Sequence, residues 1–394
     1  MRVIELSQIM AGPTCGMMLA DLGADVIKIE RVPGGDDSRG YGNADASGAH
    51  LAHPFVVMNR NKRSLALDIR SPEGKAALLR LVDGADVLVE NFRPGLLDRF
   101  GLGYQDLSTR NPRLIYCSIS GYGGVGPMGD EGGFDMILQA FAGIMSVTGT
   151  ASGEPVRPGS SVADVNAGLL GAIGVLAALN QRHATGRGQY VRSSLLEAAL
   201  QQMYWYAAEY FESGRVLGPS GSAHPITAPY QAFRTADKYI IIGGANQANW
   251  ERIARTLRHP EWIDDERFQT GFARKRNEST LASLIEAELA AHPAAHWVAT
   301  LKAAGVPVGP MHTIDEALAH PQTEALGMVR RFEHPKAGPL RSLGTPVRLS
   351  ASAPALSRGA PLLGEHSREV LREAGFDDDA IDAMARGGVT ILGD

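Results

Sequence analysis

The chain has 394 residues, 44% of them hydrophobic and 21% charged, with a formal net charge of −5. That length allows two or three domains and a large core, and so small a net charge argues against a general nucleic-acid binder. The two cysteines, Cys15 and Cys117, form no metal spacing and no disulfide framework, which fits a reducing cytoplasmic setting, and no apolar run reaches the roughly 18 uninterrupted residues of a membrane span.

Residues 3–6 predict a short apolar strand. The turn Ala11-Gly12-Pro13 follows, with Pro13 suited to a first helical turn, and a helix over 15–22 ends near Gly23. Residues 25–30 predict a second strand, which completes one βαβ unit. Glu30 ends it with an acid, as in nicotinamide-binding sheets. The Gly-x-Gly-x-x-Gly fingerprint is missing, however, and Met10-Ala11-Gly12-Pro13-Thr14 stands in its place. The pattern then repeats: strand 64–68, helix 71–82, strand 86–90 and strand 114–119. Such alternation predicts a doubly wound α/β sheet, with ligands at the carboxyl ends of its strands. Loops 8–14, 91–95 and 121–133 leave at those ends.

From 167 to about 213 the chain reads as two long helices around a short strand at 189–192. Residues 214–229, rich in Gly, Ser and Pro, read as a linker. A strand at 239–243 and helices at 245–257 and 281–291 follow, then a second linker at 305–310. The tail from 327 onward has strand-like stretches and a last short helix at 367–374. Local pattern leaves open whether that tail returns to the first domain.

Asp164 is the sole ionisable group between Arg157 and Arg182, and it stands before the apolar run 167–179. Two readings stand side by side: a helix N-cap, or a working carboxylate favoured by free N–H groups and the positive helix end. Lys28, Arg31, Arg39, Arg60, Lys62, Arg63, Arg93 and Arg99 crowd the first hundred residues, several beside strand ends. They are either a solvated face or a hold on a phosphate-bearing ligand. The glycine-dense stretch 121–133 is either a loose loop or a place of close backbone approach. His292 and His296 flank Pro293 and read as surface residues, so no metal site is expected. No phosphate loop and no Gly-x-Ser-x-Gly elbow occurs.

Several motifs in order carry a resemblance. Leu6-Ser7-Gln8-Ile9-Met10-Ala11-Gly12-Pro13 comes first, then Asp25-Val26-Ile27-Lys28-Ile29-Glu30-Arg31 and Asn59-Arg60-Asn61-Lys62-Arg63-Ser64. Val89-Glu90-Asn91-Phe92-Arg93-Pro94-Gly95, Val162-Ala163-Asp164-Val165-Asn166-Ala167-Gly168 and the closing Pro361-Leu362-Leu363-Gly364-Glu365-His366 follow. Together they resemble the family III CoA-transferases, over essentially the whole chain.

The resemblance implies an α/β fold: a large doubly wound, Rossmann-like domain built from both termini, a smaller α/β domain, and an interlocked homodimer. The division expected is 1–213 for the N-terminal part of the large domain, 214–230 as linker, 231–310 as the small domain, and 311–394 as linker and return. By the same resemblance Asp164 is the catalytic nucleophile, and with an ordinary Asp pKa of about 3.9 it would be ionised at neutral pH. Gln8, Ile9, Met10 and Ala11 would line the pantetheine path. Arg31, Leu67, Asn91, Phe92, Arg93 and Arg99 would hold the adenine and phosphate end. Coenzyme A enters as substrate, with no permanently bound cofactor. The partners implied are an acyl-CoA and a carboxylic acid, with neither nucleic acid nor membrane.

The family also contains α-methylacyl-CoA racemase, where a His-Asp motif supplies one proton carrier. Here the motif reads Gly133-Phe134-Asp135, and phenylalanine cannot move a proton; Phe134 can wall the substrate site instead. Racemase-type chemistry and a non-catalytic acyl-CoA-binding protein are the alternatives. The segment 222–233 resembles that of members acting on small dicarboxylates, so His224 is either a contact for a distal carboxylate or a structural residue. Arg157 and Arg187 are further candidates for binding an acid.

Overall fold

The computed structural model describes residues 1–41, 51–150, 152–334, 336, 338–352 and 358–393. In chain order the elements begin β1 (Arg2–Leu6), α1 (Ala11–Asp21), β2 (Asp25–Glu30), α2 (His53–Met58), β3 (Lys62–Leu67), α3 (Pro72–Asp83), β4 (Val87–Glu90), α4 (Tyr104–Arg110) and β5 (Ile115–Ser120). They continue with α5 (Asp135–Phe141), α6 (Ile144–Val147), α7 (Val162–Thr185), β6 (Tyr190–Ser194), α8 (Leu195–Gln201), α9 (Tyr204–Ser213), β7 (Tyr230–Arg234), β8 (Tyr239–Gly243), α10 (Gln247–Thr256), α11 (Gly271–Arg276), α12 (Glu278–Leu289), α13 (Ala294–Ala303) and β9 (Val308–Pro310). The last are α14 (Ile314–Ala319), α15 (Pro321–Ala325), β10 (Val329–His334), β11 (Gly338–Leu343), α16 (Ser367–Glu373), α17 (Asp378–Arg386) and β12 (Thr390–Ile391).

Two compact units form. One holds residues 1–143, 159–202 and 321–394; the other holds 144–158 and 203–320. The first is built on a seven-stranded sheet in the order β12-β3-β2-β1-β4-β5-β6, parallel except for β12. Strand order reverses between β1 and β4, so the crevice at their carboxyl ends is the ligand-binding switch point of such a sheet. The second unit has the antiparallel sheet β7-β8-β9, with Trp250, Ile253, Phe268, Ile285 and Trp297 in its core.

The two faces of the large sheet differ in chemistry. On one, Ile4, Leu6, Ile27, Leu65 and Leu88 pack against Leu78 and Leu81 of α3 and against Val370, Leu371, Ile381 and Met384 of α16 and α17. The tail therefore completes this core. The closing motif docks on β3: Gly364 N–H donates to Ser64 Oγ at 3.0 Å, and Arg39 donates to Pro361 O at 3.0 Å. On the other face the two-residue period brings Glu5, Lys28 and Lys62 together, all fully buried.

Several boundaries differ from those the sequence predicts. The first helix starts at Ala11 rather than 15, because the turn before Pro13 is already helical. Helix α7 starts at Val162, placing Asp164 inside its first turn, and the second long helix breaks into α8 and α9 at residues 202–203. The stretch 305–310 is not a linker, since β9 pairs with β8. Residues 203–213 cluster with the second unit, not with the N-terminal part of the first, and residues 144–158 do too. Helix α7 is also longer than the apolar run implies. Its 24 residues are long and apolar enough to cross a membrane by length and composition, yet it packs on α1, β5, β6 and α8. The contact with α1 is close: a Cβ at Gly168 would stand 2.4 Å from Ala11 O, so only glycine fits there.

Candidate active site

The loop after β1 is held from three sides. Asn91, just past β4, accepts Gln8 N–H and donates to Gln8 O, both at 2.9 Å. Lys28 Nζ donates to Ser7 O at 2.8 Å. Asp36 accepts Ile9 N–H at 3.2 and 3.3 Å. Ile9 has φ of 68°, a left-handed backbone that a β-branched residue adopts only when its surroundings compel it. The compulsion is an ionic chain. Lys28 Nζ sits 2.9 Å from Asp36 and 3.0 Å from Glu5, and Lys62 Nζ sits 2.8 Å from the same Glu5. Burial works against the charge on Lys28, but Glu5, Asp36 and Glu30 outweigh it and hold the ammonium above its ordinary value. Burial likewise opposes the charge on Asp36, and Lys28 and Ser38 overcome it, so this carboxyl lies well below the usual range. Lys62 is pushed down to about 8, by burial first.

This chain corrects the sequence reading of the basic residues. Lys28 and Lys62 face inward, Arg39 binds Glu30 at 2.7 Å, Arg60 binds Asp21 at 2.6 Å, and Arg63 binds Asp25 at 2.6 Å. A buried cation needs a partner carboxylate, and each of these has found one within the fold rather than on a ligand.

Asp164 lies in the first turn of α7, but it is not the cap. The capping carboxylate is Asp135 at the start of α5, whose Oδ1 accepts Ala163 N–H at 2.9 Å and Asp164 N–H at 3.1 Å. Gln139, fully buried, donates to Asp135 Oδ2 at 2.6 Å. Among the described residues the Asp164 carboxylate itself has neither a hydrogen bond nor an ion pair. Burial first, and then the charge of Asp135, push its pKa up to about 7. The expectation of an ordinary, fully ionised aspartate is therefore corrected: the helix end that would favour its charge is already occupied by another anion.

Asp164 opens into a cavity of about 410 Å³, lined also by Ala11, Asn91, Phe92, Arg93 and Phe134. Gly121 and Gly133 shape its rim by backbone contact, since a Cβ on Gly121 would meet Gly133 N at 2.7 Å. The glycine-dense stretch is therefore a close-packed loop here. A second cavity, of about 460 Å³, is lined by Gln8, Arg31, Leu67 and Phe92, with Arg31 paired to Asp37. Phe92 borders both. Ile9 and Met10 lie in the clamped loop between them in sequence, Met10 at the N-cap position of α1. A third cavity, of about 360 Å³, is polar and includes Arg93, Tyr116, Tyr190 and Glu90. Burial pushes Glu90 up to about 7, and its Oε2 accepts Phe92 N–H at 2.9 Å. Arg99 is exposed and lines none of these three cavities.

His224 belongs to the second unit. Its Nδ1 accepts the N–H groups of Ile226 and Thr227 at 3.2 and 3.3 Å, which leaves Nε2 as the protonated nitrogen. The ring stacks on Tyr230 and meets Trp205 edge-on, and burial lowers its pKa. Arg157 and Arg187 are exposed. The sequence does not single out Asp36, Glu90 or Gln139, and it marks Asp135 solely as half of a proton-transfer motif. The four-residue spacing from Asp135 to Gln139 was the available signal.

Comparison with known proteins places this geometry in a family. The CoA-transferase family III profile matches residues 1–367. Succinyl-CoA:glutarate CoA-transferase of Mus musculus is 36% identical over 389 residues, covering 98% of this chain and 89% of that protein. Succinate–glutarate CoA-transferase of Agrobacterium fabrum is 37% identical over 377 residues, covering 94% of each. The crystal structure of a CaiB/BaiF family protein from Brucella suis matches with a TM-score of 0.84 at 39% identity, covering 95% of this chain and 98% of that one. The chain belongs to CoA-transferase family III and is a CoA-transferase.

Proposed function

We propose that the enzyme moves CoA between small dicarboxylic acids, with Asp164 as the covalent carrier. The observation that carries this is the unpartnered Asp164 carboxylate lining the cavity at the switch point. An Asp164 oxygen attacks the thioester carbonyl, the C–S bond breaks, and CoA thiolate leaves a mixed anhydride. The thiolate then attacks Asp164 Cγ, and the substrate acid departs with the bridging oxygen. An acceptor carboxylate reverses both steps against the aspartyl-CoA thioester. Once Asp164 is ionised, carboxylates and thiolates exchange with no further proton transfer, so the site needs no base where Phe134 stands. Phe134, 75% exposed, serves as a wall.

In this reading the Gln8–Ala11 loop borders the pantetheine, and Arg31, Leu67, Asn91, Phe92, Arg93 and Arg99 serve the nucleotide end. CoA comes and goes as substrate. Dicarboxylate choice is supported by the acids named in the two relatives. A homodimer is supported by apolar side chains left exposed on α7, Val165, Leu170, Ile173 and Leu176 among them. A cytoplasmic location fits the two free, buried cysteines.

The test is incubation with succinyl-CoA and a panel of carboxylates, with wild type and Asp164→Ala compared by mass spectrometry. Wild type transfers CoA to glutarate or another dicarboxylate and carries a CoA adduct on Asp164; the alanine variant does neither. Exchange that survives in the alanine variant defeats the proposal.

A further inference from the structure

Helix α7 begins with an anion already in place. The contacts of Asp135 described above are all N–H donors, two from the backbone and one from Gln139. That is the environment of an ionised carboxylate. It also takes up the donors and the positive helix end that Asp164 would otherwise have used.

We infer that Asp135 is a positioning residue that drives CoA onto the enzyme, because its fixed negative charge destabilises the free Asp164 carboxylate but not the neutral thioester made from it. This rests on Asp164 being the carrier. In the half-reaction, ionised Asp164 and acyl-CoA become aspartyl-CoA and a free carboxylate. The charge leaves with the released acid and is solvated in water. Whatever raises the free energy of ionised Asp164 therefore favours loading. The shift of Asp164 to about 7, from burial first and Asp135 second, shows the penalty that loading relieves. The same basicity makes Asp164 the poorer leaving group of the mixed anhydride. Thiolate attack then expels the substrate carboxylate in preference to Asp164, which is the productive direction. Arg93 and Glu131 also line the cavity, and their charges act alike in every variant compared below.

Asp135→Asn keeps an oxygen for the two backbone N–H groups and removes the charge; Asp135→Glu keeps the charge. Each protein is equilibrated with succinyl-CoA and succinate at fixed ratios, quenched in acid, and its CoA-loaded fraction read by intact-mass spectrometry. The loading constant of the asparagine variant falls about tenfold, the value of one pKa unit, and the glutamate variant stays nearer wild type. Equal loading in wild type and the asparagine variant overturns the inference and leaves the carrier reading standing. Absence of any adduct on wild type overturns the carrier reading instead. Should the asparagine variant not fold, Asp135→Ser decides, since its hydroxyl still caps the backbone N–H groups without a charge. Loading that falls about tenfold supports the inference, and loading equal to wild type overturns it.

Discussion

Asp164→Asn is expected to stabilise the fold at pH 8 and to leave it nearly unchanged at pH 4. The native carboxyl titrates near 7, raised by burial and by Asp135, whereas an unfolded aspartate titrates near 3.9. Native protein therefore holds a proton on Asp164 that the unfolded chain has released between about pH 4 and 7. The stability linked to that proton is complete below about pH 4 and is lost as pH rises through 7. A shift of about three units corresponds to at most about 4 kcal/mol. Asp164 is partly open to the cavity, so water lowers the expected difference to about 1–2 kcal/mol. Asparagine has the same shape and no charge. Urea denaturation of the pair at pH 4, 6 and 8 measures the difference directly. A gap that stays flat across this range, or an asparagine variant less stable at pH 8, refutes the argument that Asp164 is a destabilised anion.

Two further substitutions probe the scaffold. Gly168→Ala brings a Cβ to 2.4 Å from Ala11 O and 2.7 Å from Thr14 Cβ, so α1 and α7 must separate. Even after alanine's better helix propensity, a loss of about 1–2 kcal/mol in urea denaturation is expected; a neutral result would mean the contact yields freely. Ile9→Gly releases the left-handed strain but loosens the unfolded chain, so stability should change by less than about 1 kcal/mol. KM for acyl-CoA should rise severalfold, because the loop at the start of α1 is no longer confined to one conformation. An unchanged KM would show that the strained backbone is not part of the binding surface.

Much of this protein is written locally. Apolar strands alternating with helices, from Val3 to Ile119, announce a parallel α/β sheet because periods of two and 3.6 residues survive in short windows. The lone charge of Asp164 ahead of an apolar helix, and the ordered motifs at 6–13, 59–64 and 89–95, point to the site and the family by themselves. Tertiary structure decided what those residues face. Lys28, Lys62, Arg39, Arg60 and Arg63 read in sequence as either a solvated face or a hold on a ligand, and in the fold they are internal ion pairs; for Lys28, β pairing sets Glu5 directly beside it. Likewise the cap of α7 comes from Asp135, 28 residues before Ala163, and its charge adds to burial in raising the proton affinity of Asp164. Charge environment depends on neighbours brought together by long-range packing, and no local period records them.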